Sequence, residues 1–542
     1  MISAVFVFLD RFLGKIESFK SNIFYWVFFF LGVVFFRYLL EGLAGLGVGK
    51  GFLPSFAFIH YFLWYGVVFL VAAFIIHVFS RKPISFILRL IVVFSPFILF
   101  PVIFPFIIGE PVNLSAHYVY LSDPLLLIKT IGNFFVDHGF SVSLRLQIAT
   151  SLLALGAFVY WITKKWTRSL AAMLISYVLL ILIGSLPSFV IFFQNPEGFY
   201  PTPFFLDLFY NHSQEILIGR GYFTQLSNNT FNFWFDSVLS AILFPLMILT
   251  VLLATFAHRK DFLKTIVKNC RLRKGFDFAV SIFLGMAAGF FFFGGIPPLN
   301  FLNIVALINV LLVGFLFYGA TAFYDDVYDS KIDVISHPQR PIVAGAINQV
   351  NSLKISLGLA ILSLLGALII SLHLFVFVLA SLFLVFVYSS PPLRLKRFFL
   401  INTSLVALAF LFFVLGGFFT AFPQKTPADF PAAFAWLFFL TMVILVSLKD
   451  ISDYEGDRAG GIKTLPVVLG PKTAKMILGG VLGLIIILIP LFLVEGSYFL
   501  NIWAIVFGVA LFYLINRKNF SEKNTYLTTV FFLMIAAAYL IY

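Results

Sequence analysis

Apolar runs of about 20 residues recur along this chain from one end to the other, each long enough to cross a hydrocarbon core as an α-helix. Six lie near 23–40, 54–80, 84–109, 145–163, 169–193 and 232–257. Nine follow near 278–294, 301–324, 352–372, 374–389, 399–421, 432–448, 472–494, 498–515 and 524–541. The expected fold is an all-α polytopic membrane protein of about fifteen transmembrane helices. Only 11% of the 542 residues are charged, against roughly 25% in soluble domains. That deficit excludes a soluble enzyme, a nucleic-acid-binding module and a disordered scaffold. One cysteine, Cys270, forbids an intrachain disulfide.

The net charge of +13 is explained by sidedness. With a cytoplasmic N-terminus and every run crossing, 30 of the 36 Lys and Arg fall on inner segments, and Arg37, Lys50, Lys129, Arg145, Arg220 and Lys425 do not. A miscounted crossing would invert everything after it and scramble this bias. The cations therefore orient the chain at the inner leaflet, and no nucleic acid partner is needed. The expected setting is a multi-pass protein of a prokaryotic cell membrane, with cytoplasmic N-terminus and active-site loops. Residues 1–22 show no cleavage site. Val5, Phe8, Leu9, Phe12, Leu13 and Ile16 recur at helical spacing, as in an in-plane amphipathic segment.

The acid is concentrated. Of 23 acidic residues, eight fall in two short windows: Asp325, Asp326, Asp329 and Asp333, then Asp450, Asp453, Glu455 and Asp457. Both windows begin where a span reaches the inner face. Asp326, Asp329 and Asp333 repeat as Asp450, Asp453 and Asp457, at i, i+3 and i+7, which line one face of a helix. Four spans separate the triplets, as in a four-helix internal repeat with the same sidedness in each copy. Six crowded carboxylates at a low-dielectric boundary repel one another and call for compensation. A solvated helix end would account for one triplet, but not for two in register with Gly and Pro after each. Mg²⁺ suits carboxylate oxygens and is commonly completed by substrate phosphates, so the pattern points to a diphosphate clamped through Mg²⁺.

The motifs resemble those of the UbiA-type intramembrane prenyltransferases. Asp325-Asp326-Val-Tyr-Asp329-Ser-Lys-Ile-Asp333, followed by His337-Pro338-Gln339-Arg340-Pro341 and Gly345, is similar to the family's first aspartate-rich signature. Lys449-Asp450-Ile451-Ser452-Asp453-Tyr454-Glu455-Gly456-Asp457-Arg458, with Gly461 and Thr464-Leu465-Pro466 behind it, resembles the second. Tyr388-Ser389-Ser390-Pro391-Pro392-Leu393-Arg394-Leu395-Lys396 resembles the tyrosine and lysine loop between them. The resemblance covers about residues 271–542, whose nine spans it identifies as a UbiA-like helical bundle. Two departures stand out: Asp325 where the family usually has Asn, and Arg273-Lys274-Gly275-Phe276-Asp277 where it often has an Arg-Pro opening.

The resemblance implies transfer of an isoprenyl group from an allylic isoprenyl diphosphate to a lipophilic acceptor (a quinone headgroup, tetrapyrrole or glycerol-phosphate lipid), with release of diphosphate. Mg²⁺ ligands would be Asp326, Asp329, Asp333, Asp453 and Asp457, with Asp325 and Asp450 as further ligands or supporting groups. Arg340, Arg394, Lys396 and Lys463 would hold the remaining phosphate oxygens or lipid headgroups. Tyr388 faces the developing cation, donates to phosphate, or anchors at the interface. Within the superfamily, phosphoribosyl transfer onto a polyprenyl phosphate is the alternative. From another class, a transporter with an internal repeat would place its carboxylates near mid-membrane rather than at span ends.

Four regions are expected: an amphipathic segment 1–22, a six-span membrane domain 23–258 of unknown function, a basic linker 259–277 and the UbiA-like domain 278–542. The first half carries no familiar motif. Glu110, His117, Asp123, Asp137, His138, Asp207, His212 and Glu215 are expected as scattered polar residues on wet loops, and Arg37 and Glu41, at i and i+4, as a helix-stabilising or snorkelling pair.

Overall fold

In hydrocarbon each backbone N–H and C=O must be satisfied inside its own element, which is why nearly all of the apolar sequence is helical. The structure, a computed structural model, describes residues 11–18, 23–47, 56–108, 118–121, 124–136, 140–194, 217–218, 230–493 and 498–518, with 520, 524–525 and 528–529. The eight loop residues from Glu110 to Glu215 named above lie outside these, as do residues 1–10 and most of the span expected at 524–541. Fourteen helices among the described residues are long and apolar enough to cross a membrane, matching the other fourteen expected spans.

The chain divides into two compact units. The first holds the described residues up to Lys264 together with Pro297–Ile308; the second holds Thr265–Ile296 and those from Asn309 onward. The first unit begins with α1 (Ile23–Gly47), α2 (Phe56–Ser80) and α3 (Ile84–Phe94). A 3-10 turn at Ser95–Leu99 then leads into α4 (Phe100–Ile108), and α5 (Pro124–Asn133) follows. Next come α6 (Val142–Thr163), α7 (Trp166–Gly184), α8 (Leu186–Gln194), α9 (Thr230–His258) and α10 (Lys260–Asn269). Three details differ from expectation. The span near 169–193 is broken at Ser185, a short helix, α5, lies between the third and fourth expected spans, and the basic linker is helical over Lys260–Asn269. Of the amphipathic segment, residues 11–18 are helical; Ile16, with Phe12 and Leu13, packs on Ala73, Ile76, Phe86 and Ile87, so this apolar face is seated on protein.

Arg37 and Glu41 do not snorkel. Each is 1% exposed, and they pair at 2.9 Å. Pro96 and Pro101 remove two backbone donors from the third span, and Arg37 donates to the Ile98 carbonyl beside that gap. The Tyr61 hydroxyl donates to Glu41 at 2.6 Å. Arg37 thus bonds a carbonyl within the 3-10 turn, a partner that the i, i+4 spacing alone did not reveal.

The second unit runs through α11 (Leu272–Phe293), α12 (Phe301–Tyr328), α13 (Ser330–Ser336), α14 (Gln349–Ile370) and α15 (Leu372–Ser389). After a 3-10 turn at Leu395–Arg397 come α16 (Ile401–Ala421), α17 (Ala432–Ala459), α18 (Leu465–Leu469), α19 (Pro471–Leu493) and α20 (Tyr498–Asn516). Phe278, Ile282, Val313, Phe317, Phe410 and Phe413 centre its core, with Phe278 stacked on Phe410 at 4.0 Å. Small residues let backbones meet: a Cβ on Gly285 would lie 1.8 Å from the Val414 carbonyl oxygen, and one on Gly417 2.0 Å from that of Ile282. The core thereby positions the C-terminal ends of α12 and α17, where both acidic windows sit.

Candidate active site

Both windows grow from 28-residue helices, but they end differently. The second triplet lies on one helix, because α17 continues to Ala459 rather than stopping near 448. The first is split: α12 ends at Tyr328, Asp329 leaves helical geometry, and Asp333 rides on the short α13. The expectation that both triplets line a single helix face therefore holds for Asp450, Asp453 and Asp457 alone. The kink keeps Asp333 beside Asp326 through a shared cation. Arg340 NH1 lies 3.2 Å from Asp326 and also donates to Asp333.

The remaining carboxylates of the first window face the loop after α15. Lys396 Nζ, buried, lies 2.7 Å from Asp325 and 2.6 Å from Asp329. Arg394 reaches Asp329 at 3.0 Å and the Tyr328 carbonyl at 3.3 Å, and the Ser389 hydroxyl donates to Asp325 at 2.8 Å. The extra charge of Asp325, where the family usually has Asn, is thus taken up by Lys396. Lys396 also sits over the Tyr388 ring, 5.6 Å from its centre. Lys463 is exposed, and only its backbone joins the assembly, its N–H donating to the Arg397 carbonyl at 3.3 Å.

The windows meet. His337 Nε2, just beyond the first, lies 3.5 Å from Asp453 of the second, and Lys449 Nζ lies 3.0 Å from the same carboxylate. Ile332 of α13 packs against Gly460, where an added Cβ would stand 2.7 Å from it. Glycines in the left-handed region turn the chain after each window, Gly345 at φ 71° and Gly461 at φ 69°.

Five partners were not singled out from sequence. Asn269 donates to Asp326 at 3.0 Å, and Arg271 lies 3.5 Å from it; both come from the segment expected as a linker. Ser389, His337 and Lys449 stood inside recognisable motifs without an assigned role. Arg271 and Arg394 hold φ values of 42° and 39°, a left-handed conformation that is uncommon for residues with a Cβ. Each carries an ion pair to the first window, Arg271 to Asp326 and Arg394 to Asp329.

Burial dominates the electrostatics. It raises the Asp333 carboxyl to about 7, helped by Asp326 and Asp329 and opposed by Arg340. Burial and the Asp325 charge raise Asp329 to about 6 against Lys396 and Arg394. Burial pulls the Lys396 ammonium down, but Asp325 and Asp329 outweigh it and hold the group above its ordinary value. Arg340 is raised in the same balance by Asp326 and Asp333. His337 is lowered by burial and by Arg340.

Among the described residues no three His, Cys, Asp or Glu side chains converge as a ready-made metal cage; cationic side chains stand among the carboxylates instead. Buried atoms at the site that nonetheless lack a hydrogen-bond partner include Asp450 Oδ2, Arg340 Nε and Arg394 Nε. An acceptor left bare calls for a cation, and donors left bare call for an anion. Together they fit a metal-bound polyanion.

The model of the UbiA prenyltransferase family matches residues 298–537. The bacteriochlorophyll synthase 33 kDa chain of Rhodobacter capsulatus is 32% identical over 183 residues, 33% of this chain and 60% of that protein. The digeranylgeranylglyceryl phosphate synthase of Saccharolobus solfataricus is 31% identical over 206 residues, 37% of this chain and 70% of that protein. Synthases of the latter kind from two other archaea are spanned over 66% of their length, so the chain covers less than two thirds of several curated relatives. A solved UbiA homologue from Archaeoglobus fulgidus, bound to DMAPP and Mg²⁺, aligns with 50% of this chain and 96% of its own at 22% identity and a TM-score of 0.38.

Proposed function

The chain belongs to the UbiA prenyltransferase family, and from that premise we propose that its second unit transfers an isoprenyl group from an allylic diphosphate to a lipophilic acceptor, releasing diphosphate. The supporting observation is the meeting of the two aspartate windows at His337 and Asp453, 3.5 Å apart. A diphosphate seated there touches both.

The bare Asp450 oxygen and the carboxylates around it suit Mg²⁺, which Asp326, Asp329, Asp333, Asp453 and Asp457 would hold, with Asp325 and Asp450 in support. Bound Mg²⁺ supplies neutralisation of the charge that builds on the diphosphate as its C–O bond ionises. The protein does the rest. Arg340 and Arg394 turn their uncommitted Nε–H groups to phosphate oxygens, and Lys396 shifts from Asp325 and Asp329 toward the leaving group. Tyr388, beside Lys396, offers its ring face to the allylic cation, an attraction worth about 0.5–2 kcal/mol. The apolar helices exclude water that would quench that cation. Lys463, exposed, serves phosphate or lipid headgroups at the rim.

The acceptors named for the relatives make tetrapyrroles and glycerol-phosphate lipids the first candidates, with quinone headgroups beside them. The positive-inside bias supports cytoplasmic placement of this site in a prokaryotic membrane. The test is turnover of labelled geranylgeranyl diphosphate by the purified full-length protein, with mass-spectrometric detection across a panel of such acceptors. Asp329→Ala and Asp453→Ala are expected to abolish Mg²⁺-dependent turnover while leaving the protein folded in detergent. Unchanged turnover in either variant removes that window from the mechanism.

A further inference from the structure

The first unit holds a second buried polar constellation. His60 of α2 is 3% exposed. Its Nδ1 lies 2.5 Å from Asp236 Oδ1 of α9, and its Nε2 is hydrogen-bonded to the Tyr118 hydroxyl, the two rings stacked with centres 5.6 Å apart. Trp64 and Phe235 close on Tyr118 edge-on, at 4.9 and 5.9 Å. An imidazole held between a carboxylate and a phenol has fixed roles: Nδ1–H donates to the carboxylate, leaving Nε2 as the acceptor that faces the hydroxyl.

Charge decides what this arrangement is for. Arg37 and Glu41 of α1 pair with each other, and Arg37 also bonds the Ile98 carbonyl. The other titratable groups around His60 among the described residues are phenols: Tyr61 and Tyr65 of α2, Tyr118 and Tyr120 of the segment 118–121, and Tyr38 of α1. Among the described groups, His60 is the one that can balance Asp236: with the imidazole neutral the cluster carries the carboxylate charge, and with it protonated the cluster is neutral overall. Ionisable groups inside a membrane bundle are costly, and they mark proton and ion sites. A purely structural histidine needs one hydrogen bond and no counter-charge.

We propose that Asp236, His60 and Tyr118 form a proton-binding site whose ligand is a single proton, carried on the His60 imidazole and exchanged through the Tyr118 hydroxyl. A hydronium ion gives a proton to the Tyr118 oxygen as the phenolic proton leaves for Nε2; one O–H bond of the hydronium and one of the phenol break, one O–H and one N–H bond form, and water is released. Loss follows the reverse path. His60 and Asp236 stand about 6 and 9 Å from the first residues of their helices, at 1.5 Å per residue. The site is therefore near one end of those spans, and is an exchange site rather than a full transmembrane path.

The test uses the full-length protein in detergent with ¹⁵N-labelled histidine, the His60 signal being identified by its loss in His60→Gln. Between pH 9 and 5 that signal is expected to pass from the pattern with one bare ring nitrogen to the doubly protonated pattern. In Asp236→Asn the doubly protonated pattern is expected to vanish across this range. In Tyr118→Phe both patterns persist but interconvert more slowly. Should His60→Gln fail to fold, the signal shifted by Tyr118→Phe identifies His60 instead. A His60 signal that keeps one form throughout, or an Asp236→Asn protein that titrates as the wild type does, overturns the proposal.

Discussion

Lys396 ties two carboxylates of the first window together, as Arg340 ties the other two. It is 3% exposed and holds two carboxylates within 2.7 Å, so removing its charge leaves Asp325 and Asp329 facing each other. Breaking one side of a buried ion pair costs about 3 kcal/mol or more. Lys396→Met is therefore expected to melt several degrees lower in metal-free buffer, and adding Asp325→Asn to recover part of the loss; additive effects in this double-mutant cycle would show that the pair is not coupled. Protons compete with metal at the same carboxylates. Asp333 and Asp329, raised to about 7 and 6, hold protons near neutrality, and a metal binds only their ionised forms. Apparent Mg²⁺ affinity is expected to strengthen as pH rises from 5.5 to 8, with proton release that calorimetry in two buffers of different ionisation enthalpy detects. These cations were legible in sequence because they stand in the motifs. Asn269 and Arg271 were not, because each meets Asp326 across more than 50 residues of chain, and local spacing says nothing about such contacts.

At the scale of elements, helix lengths follow from apolar runs, while helix ends and crossings follow from packing. The split of the first triplet at Asp329 shows the difference: i, i+3, i+7 spacing fits an unbroken helix, yet sharing Arg340 with Asp326 brings Asp333 round on α13. The crossing of α11 and α16 depends on glycines facing carbonyls. Gly285→Val is expected to disrupt the unit, since even a methyl would stand 1.8 Å from the Val414 oxygen. Gly358, with open space where its Cβ would be, makes the control; Gly358→Ala should be neutral or stabilise by up to about 1 kcal/mol. Size-exclusion profiles and melting in detergent separate the two outcomes, and equal behaviour would contradict the close crossing.

For the whole molecule, the one cysteine makes sidedness testable. Cys270 is buried, and burial raises its thiol to about 11, which slows labelling. Starting from Cys270→Ser, single cysteines replacing Lys331 or Lys475 are expected to react with an impermeant maleimide only from the cytoplasmic side, and one replacing Lys425 only from outside. Labelling of all three from one side would undo the topology, and with it the cytoplasmic placement of the site.

By itself the sequence determined that this chain is helical and membrane-spanning, roughly where it crosses, and at which span ends its acid collects. Hydrocarbon imposes those features on any chain, residue by residue, so they are written locally. Only the tertiary structure decided which carboxylate meets which cation, that the two windows touch at His337 and Asp453, and that His60, Tyr118 and Asp236 converge from three distant segments. Coulomb and hydrogen-bond energies depend on separation through space, and in a helical bundle that separation is set by how helices cross, a quantity no local periodicity contains.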